Sequence, residues 1–153
     1  MDLNFAFDPP FLNAAGCLGF APDPHGPVDL KQFCAFTTNP VSLRARTPAH
    51  HRACCAFPGG FLLHSGHPNP GLRRVLDRYA SRWARAPLPV LVHLLADEPS
   101  EIETMVMQVE GLENVAGVEI SLPPEVDPAA VQPYIEAGLG EVPIIVRLPL
   151  DRA

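Results

Sequence analysis

Three ionisable residues interrupt stretches of the sequence that are otherwise apolar: His93, Glu119 and Arg147. Each stretch has the composition of a buried strand, and equivalent positions on adjacent parallel strands lie side by side on one face of a sheet. The three side chains are therefore predicted to form a row. Ionisable groups in a buried sheet are costly unless they satisfy one another, so the row indicates a ligand site or a structural ionic network. The sequence favours the network and leaves the ligand site open.

The strand that carries Glu119 ends at Pro123-Pro124. The tip of a parallel strand that runs into such a loop is where α/β enzymes place their chemistry, because several loops converge there. Leu122 occupies the position in which an enzyme would need a nucleophile or a base, and Ser121 precedes it. The position therefore indicates a site, whereas the leucine does not supply chemistry.

Other segments could bind a ligand. The loop from Gly59 to Pro70 has glycines that permit close backbone approach, and its predicted helix start at Asn69-Pro70 could hold an anion. The small residues of Asn13-Ala14-Ala15-Gly16 suit either a flat cofactor or tight packing. A third segment is rich in histidine and cysteine, the side chains that zinc prefers as ligands, but it lacks the closely paired spacing that tetrahedral zinc sites usually show. Its members are His50, His51, Cys54, Cys55, His64 and His67. Solvated histidines and packed, reduced cysteines are the favoured interpretation of that segment.

The elements that must position these residues follow from hydrophobic patterning. Two short strands, 3–7 and 11–15, are predicted to form an N-terminal hairpin. Further strands are predicted at 34–38, 89–95, 116–121 and 142–148, and helices at 28–33, 70–85, 99–112 and 127–138. The predicted N-caps are Asn69, Ser100 or Asp97, and Asp127. Apolar strands that alternate with helices indicate a parallel sheet covered on both faces.

Composition excludes several classes of protein. The chain has 153 residues, 47% of them hydrophobic, and a formal net charge of −6, which argues against nucleic-acid binding. It has neither an apolar run of the roughly 18 residues that a membrane helix needs nor a recognisable export signal. A single domain over residues 1–153 in the cytoplasm, with no membrane, is expected.

In order and spacing, these segments resemble the FMN-dependent dihydroorotate dehydrogenases, especially the soluble class. The resemblance covers nearly the entire chain and rests on residues 10–16, 35–38 and 60–69 and on the strands around His93, Glu119 and Arg147. The family fold is a (β/α)8 barrel with flavin at the carboxyl ends of its strands. The resemblance thus implies an α/β fold, a partial TIM-type barrel of about five parallel strands preceded by the hairpin and lacking the last barrel strands.

Carried over residue by residue, the resemblance marks two sets of positions. The flavin-contacting positions are Ala15, Gly16, Thr38, Asn39, His93, Glu119 and Arg147, and the substrate-contacting positions are Leu63, Gly66, Asn69 and Pro124. Several differ from the family pattern: lysines are replaced at Asn39 and Arg147, and asparagines at Leu63, Glu119 and Pro124. The family's catalytic cysteine is replaced by Leu122, which cannot accept a proton. Ser121 is predicted to point to the other side of the strand, so no catalytic residue is assigned.

The sequence therefore predicts a degenerate, non-catalytic relative of these enzymes of pyrimidine biosynthesis, a pseudoenzyme with a structural or interaction role. A Glu119–Arg147 ion pair, which His93 could join, is predicted to fill the flavin floor, with FMN lost. The alternative is an FMN-dependent oxidoreductase that acts on dihydroorotate or a related small substrate by hydride transfer to flavin. An incomplete barrel exposes strand edges, so a homo-oligomer or a partner chain that covers them is expected.

Overall fold

A parallel β-sheet forms the centre of the protein in a computed structural model that describes residues 8–50, 53–123 and 126–148. The elements in chain order are β1 (Phe36–Thr37), β2 (Ala53–Phe57), β3 (Gly60–His64), α1 (Leu72–Ala84), β4 (Val90–Leu95), α2 (Pro99–Val109), β5 (Val115–Ser121), α3 (Val131–Gly138) and β6 (Ile144–Arg147). Short 3-10 helices span Leu30–Gln32 and Pro128–Ala130. The parallel sheet has the order β1-β4-β5-β6, whereas β2 and β3 form a separate antiparallel hairpin.

The main hydrophobic core lies between one face of the sheet and the helices. Alternate residues of the central strands, such as Val92 on β4 and Ile120 on β5, join Trp83 of α1 and Met105 of α2 in this cluster. The residues between them, including His93 and Glu119, face the other side of the sheet because successive side chains of a strand alternate. This inner face carries the polar row.

The predicted α/β fold is confirmed: four parallel strands with covering helices and an added hairpin are consistent with part of a TIM-type barrel. The strands and helices predicted between residues 70 and 148 are present, with ends shifted by a few residues. These segments are buried, so their hydrophobic periodicity reports directly on their structure. Among the described residues, no helix is both long and apolar enough to cross a membrane.

The second strand of the predicted N-terminal hairpin is wrong. Its first strand, residues 3–7, lies outside the described ranges. Residues 11–15 form no strand, only a single parallel bridge from Leu12 to Ala35. The Asn13 side chain takes the place of backbone pairing: its Nδ2 donates to the Thr37 carbonyl at 2.7 Å and its Oδ1 accepts from the Thr37 amide at 2.8 Å. In place of a further parallel strand beside β1, this segment makes one β-bridge and the two hydrogen bonds of the Asn13 side chain to Thr37.

Other local predictions differ from the structure at element ends. The helix predicted at 28–33 is a three-residue 3-10 turn. The N-cap of α1 is Gly71 rather than Asn69, and that of α2 is Glu98 rather than Ser100 or Asp97. Asp127 caps the 3-10 turn Pro128–Ala130, where its side chain accepts from the Ala129 amide at 2.8 Å, whereas the N-cap of α3 itself is Ala130. The hairpin strand β2 was not predicted, since residues 54–57 are exposed and show no alternation of burial.

Candidate functional site

A buried histidine lies at the centre of the inner face. His93 is in register with Glu119 on the neighbouring strand, and its Nδ1 lies 2.7 Å from Glu119 Oε1. The side chains are 1% and 14% exposed, so this pair is almost completely removed from water. Because a carboxylate can only accept a hydrogen bond, the Nδ1 atom must carry the hydrogen. Glu119 therefore fixes both the orientation and the tautomer of the imidazole.

Ser121 contacts the opposite nitrogen of the same ring. Its Oγ lies 3.1 Å from His93 Nε2. When the ring is neutral with its hydrogen on Nδ1, Nε2 presents a lone pair, and the Ser121 hydroxyl donates to it. The three side chains form one continuous chain of hydrogen bonds, Ser121 to His93 to Glu119. Sequence reasoning missed the serine as a partner, although its spacing of two from Glu119 places both side chains on one face of the strand.

Backbone contacts hold His93 in this position. Its amide donates to Thr38 Oγ1 at 3.0 Å, and the Thr38 hydroxyl in turn donates to the Asn39 carbonyl at 3.0 Å. The His93 carbonyl accepts from the Val41 amide at 2.9 Å. Thr38 and Val41 are fully buried. The segment after β1 therefore fixes the carboxyl end of β4, and the imidazole itself is carried by a strand.

Arg147 does not occupy the predicted place in the row. In the β5–β6 register, Glu119 is opposite Ile145, and Arg147 is opposite Ser121. The contacts between basic and acidic side chains among the described residues are His93–Glu119 and Arg46–Asp97, so the predicted Glu119–Arg147 pair is wrong. The stagger of β6 by two residues depends on how the strands pack, and the sequence does not encode it locally.

A cavity of about 630 Å³ opens at the carboxyl ends of β4, β5 and β6. Its wall includes His67, His93, Ser121, Leu122, Arg147 and Arg46. The pKa of His67 is lowered by partial burial and then by the nearby His93, Arg147, Arg46 and His64. Asp97 also lines the cavity and is paired with Arg46, whereas Arg147 has no ion-pair partner among the described residues. Arg147 is therefore the cation of the wall that can bind a negatively charged group of a ligand.

The predicted flavin-contacting positions divide into two groups in the structure. In the first group, His93 and Arg147 line the cavity, and Thr38 and Glu119 are hydrogen-bonded to His93. The others, Ala15, Gly16 and Asn39, are not among its described lining residues. The Asn39 side chain instead accepts from the Gly19 amide at 3.1 Å.

The predicted substrate-contacting positions are also dispersed. Gly66 lines the cavity, whereas Leu63 is exposed on the hairpin strand β3. Asn69 is 6% exposed, and its side chain bonds to Ser42, His67 and Gly71 within the chain. Pro124 lies outside the described residues.

Leu122 and Ser121 lie on opposite sides of the end of β5. Leu122 is 6% exposed and packs in the hydrophobic cluster, although it also contributes to the cavity wall. Ser121 is half-buried and faces the inner side with His93. The only polar side chain of this strand end that is presented to the cavity is therefore the serine, within the described residues.

The histidine and cysteine concentration does not assemble into a metal centre in the described part of the chain. His51 lies outside that part, and no group of three or more His, Cys, Asp or Glu side chains is close enough to hold an ion. Cys54 and Cys55 are free and exposed on β2.

The chain is similar to the catalytic subunit of dihydroorotate dehydrogenase B (NAD(+)) from several organisms. It is 27% identical to the subunit of Maridesulfovibrio salexigens over 152 residues, which covers 91% of this chain and 50% of the relative. The subunits of Geobacillus sp. and Desulforudis audaxviator are each 25% identical and cover 91% and 74% of this chain, or 48% and 37% of the relative. No protein-family model matches the chain. It spans about half the length, or less, of the curated relatives that it matches.

Proposed function

We propose that this chain is a dihydroorotate-dehydrogenase-like protein that does not oxidise dihydroorotate and has a structural or interaction role. The observation that carries this proposal is the hydrogen-bonded chain of Ser121, His93 and Glu119. It occupies the strand ends where the resemblance locates the flavin. These side chains satisfy one another instead of presenting free donors and acceptors to a cofactor.

The residues at the flavin positions do not fit an isoalloxazine ring. Thr38 Oγ1, Asn39 Oδ1, both ring nitrogens of His93 and Glu119 Oε1 are engaged in hydrogen bonds within the chain. Among the described residues, the one buried side-chain oxygen without a partner is Thr37 Oγ1, and Thr37 is not among the cavity residues. A carboxylate at the position of Glu119 would also repel the electron-rich reduced flavin in a site of low dielectric.

The position of the family base supports the same conclusion. Leu122 has no group that can take a proton, and its side chain is packed in the core. General acid–base catalysis typically contributes about 100- to 10,000-fold to a rate. A dehydrogenase reaction at this strand end would lack that contribution even if flavin were supplied.

The interaction role is supported by the open edge of the sheet. In the described part of the chain, β6 pairs with β5 on one side and with no strand on the other. An unpaired parallel edge offers amide and carbonyl groups to another chain. The relatives are themselves named as catalytic subunits of an enzyme. We infer that a second copy of this chain, or another chain, covers the edge at β6.

The flavin test uses the purified protein. After incubation with excess FMN and gel filtration, it is expected to carry no visible flavin absorbance and to show no dihydroorotate-dependent bleaching. The catalytic subunit of Maridesulfovibrio salexigens, treated in the same way, is the matched comparison. Stoichiometric FMN that is reduced on adding dihydroorotate would overturn the proposal and establish the FMN-dependent oxidoreductase in its place.

The edge is tested by light scattering. The chain has a mass of 16.5 kDa, and a mass at least twice that value is expected in solution. Ile145→Lys places a charge on the edge strand β6, on the inner face opposite Glu119, and is expected to reduce the assembled fraction, because lysine on an edge strand opposes pairing. Leu139→Lys alters an exposed leucine after α3 and serves as the control. A monomeric mass at every concentration, or equal effects of the two variants, would contradict self-association through β6.

A further inference from the structure

The hydrogen-bonded side chains Ser121, His93 and Glu119 have the types and the order of a nucleophile, a general base and a carboxylate that orients the base. We propose that Ser121 is an activated nucleophile that transfers acyl groups from small carboxylic esters, with His93 as its general base and Glu119 as a positioning residue. This inference goes beyond the interaction role and does not depend on it. Activation of a serine requires a base within hydrogen-bonding distance and a third group that orients the base. Both distances, 3.1 Å and 2.7 Å, meet that requirement.

The direction of the hydrogen bonds is the one that the chemistry needs. Glu119 accepts from Nδ1, which leaves the lone pair of Nε2 aimed at the Ser121 hydroxyl. The opposite tautomer would place a hydrogen between Nε2 and the serine oxygen and would prevent proton transfer to the ring. The carboxylate excludes that tautomer because it has no hydrogen to donate.

Burial distinguishes the base from the nucleophile. His93 is 1% exposed, so water does not compete for its two nitrogens, whereas Ser121 is half-buried and lines the cavity. A substrate in the cavity can therefore reach the serine oxygen while the base remains in a dry, fixed position. Such preorganisation is the largest contribution in many enzyme sites.

On the strand β6, the side chain of Arg147 is a cationic neighbour of Ser121. Arg147 of β6 is in register with Ser121, so the two side chains leave the sheet on the same face, and both line the cavity. Its guanidinium group can stabilise the negative charge that develops on the carbonyl oxygen of a substrate. Arg46 is paired with Asp97, whereas Arg147 has no ion-pair partner among the described residues, so Arg147 favours an ester that also carries a negatively charged group.

The reaction balances with water as the only further reactant. Ser121 Oγ forms a bond to the ester carbonyl carbon while its proton moves to His93 Nε2. The tetrahedral intermediate then releases the alcohol as the ester C–O bond breaks, and His93 returns the proton to the leaving oxygen. Water repeats both steps on the acyl-serine, so that a carboxylic acid is released and Ser121 is regenerated. Glu119 remains a carboxylate and stabilises the transient imidazolium.

The test uses a fluorophosphonate, which reacts covalently with activated serines. The wild-type protein is expected to be labelled at Ser121, as mapped by peptide mass spectrometry, and to hydrolyse the p-nitrophenyl monoester of succinate faster than p-nitrophenyl acetate. Ser121→Ala is expected to lower both labelling and hydrolysis at least about 100-fold. Ser100→Ala, at an exposed serine of α2, is the matched control and is expected to retain the wild-type rates.

Glu119→Gln tests the positioning role. Glutamine retains an acceptor for Nδ1 but removes the negative charge, so the fold is expected to persist while the labelling rate falls about 10-fold or more. Denaturation curves on the same samples show whether folding is kept. The proposal is overturned if the wild-type protein reacts no faster than after unfolding, if Ser121→Ala keeps its label, or if folded Glu119→Gln reacts at the wild-type rate.

Discussion

Replacing Asn69 with alanine is expected to lower the free energy of unfolding by about 2–4 kcal/mol. The Asn69 side chain accepts from the amides of Ser42 at 3.2 Å and Gly71 at 3.0 Å. Its Nδ2 donates to Ser42 Oγ and to the His67 carbonyl, each at 3.0 Å. Alanine would leave two buried amides without partners, each at a cost of about 1–3 kcal/mol. Urea denaturation followed by circular dichroism would measure the change.

Asn39→Ala is the matched control for this substitution. The same atoms are removed, but the Asn39 side chain makes a single hydrogen bond, to the part-buried Gly19 amide. A loss of about 1 kcal/mol is expected. Similar losses for the two variants would contradict a structural role for Asn69 and would leave its predicted contact with a substrate as the reason for its presence.

The parts of the fold that the sequence predicts are those whose structure follows from local burial. The strand β4 is apolar on both faces because helices cover one face and the inner residues are buried on the other, so its pattern is unambiguous. The hairpin of β2 and β3 gives no such signal. Its residues Phe61, Leu62 and Leu63 are all exposed, so no polar–apolar alternation marks the strand. At the N-terminal side, Asn13 replaces strand pairing with amide contacts, which no propensity argument anticipates.

The candidate site was predictable in part for the same reason. His93 and Glu119 were placed together because each interrupts a buried strand, and parallel strands put such positions side by side. Arg147 was misplaced because the stagger of β6 is decided by tertiary packing. The pairing of β4 with β5 also shifts between Val90 and Leu91, which shows how little local sequence fixes register. The sequence assigns no catalytic role to Ser121, because this residue precedes the position of the family base by one, yet its Oγ contacts His93 Nε2 at 3.1 Å.

The likeness to dihydroorotate dehydrogenase B subunits and the geometry of the site carry different information. A resemblance at 27% identity over half of the relative indicates a shared fold. Function depends on the side chains grafted on that fold. In this chain, the strand ends carry a serine, a histidine and a carboxylate in mutual contact. The proposed chemistry is therefore based on these three side chains, and the likeness to the relatives explains the fold that positions them.

The coupling free energy of the His93–Glu119 contact is expected to exceed that of an exposed ion pair with the same nitrogen–oxygen distance. Both His93–Glu119 and Arg46–Asp97 have a closest nitrogen–oxygen distance of 2.7 Å. The former side chains are 1% and 14% exposed, and the latter are 29% and 76% exposed. In water, solvent screening and side-chain entropy reduce the value of a pair, so an exposed pair contributes about 0.2–1 kcal/mol. Removal of one partner from a buried hydrogen bond leaves the other group unsatisfied, at a cost of about 1–3 kcal/mol and more when that group is charged.

Two double-mutant cycles with alanine measure this difference within one protein. His93→Ala alone is expected to lower the free energy of unfolding by about 2–4 kcal/mol, because it leaves the Glu119 carboxylate without its partner in a largely dry site. The loss in His93→Ala/Glu119→Ala is expected to be about 1–3 kcal/mol smaller than the sum of the single losses. The Arg46–Asp97 cycle is expected to give a coupling below about 1 kcal/mol. Equal couplings would show that solvent screens the His93–Glu119 contact as strongly as the surface pair. His93 would then not be the dry, preorganised base on which the reactivity of Ser121 depends.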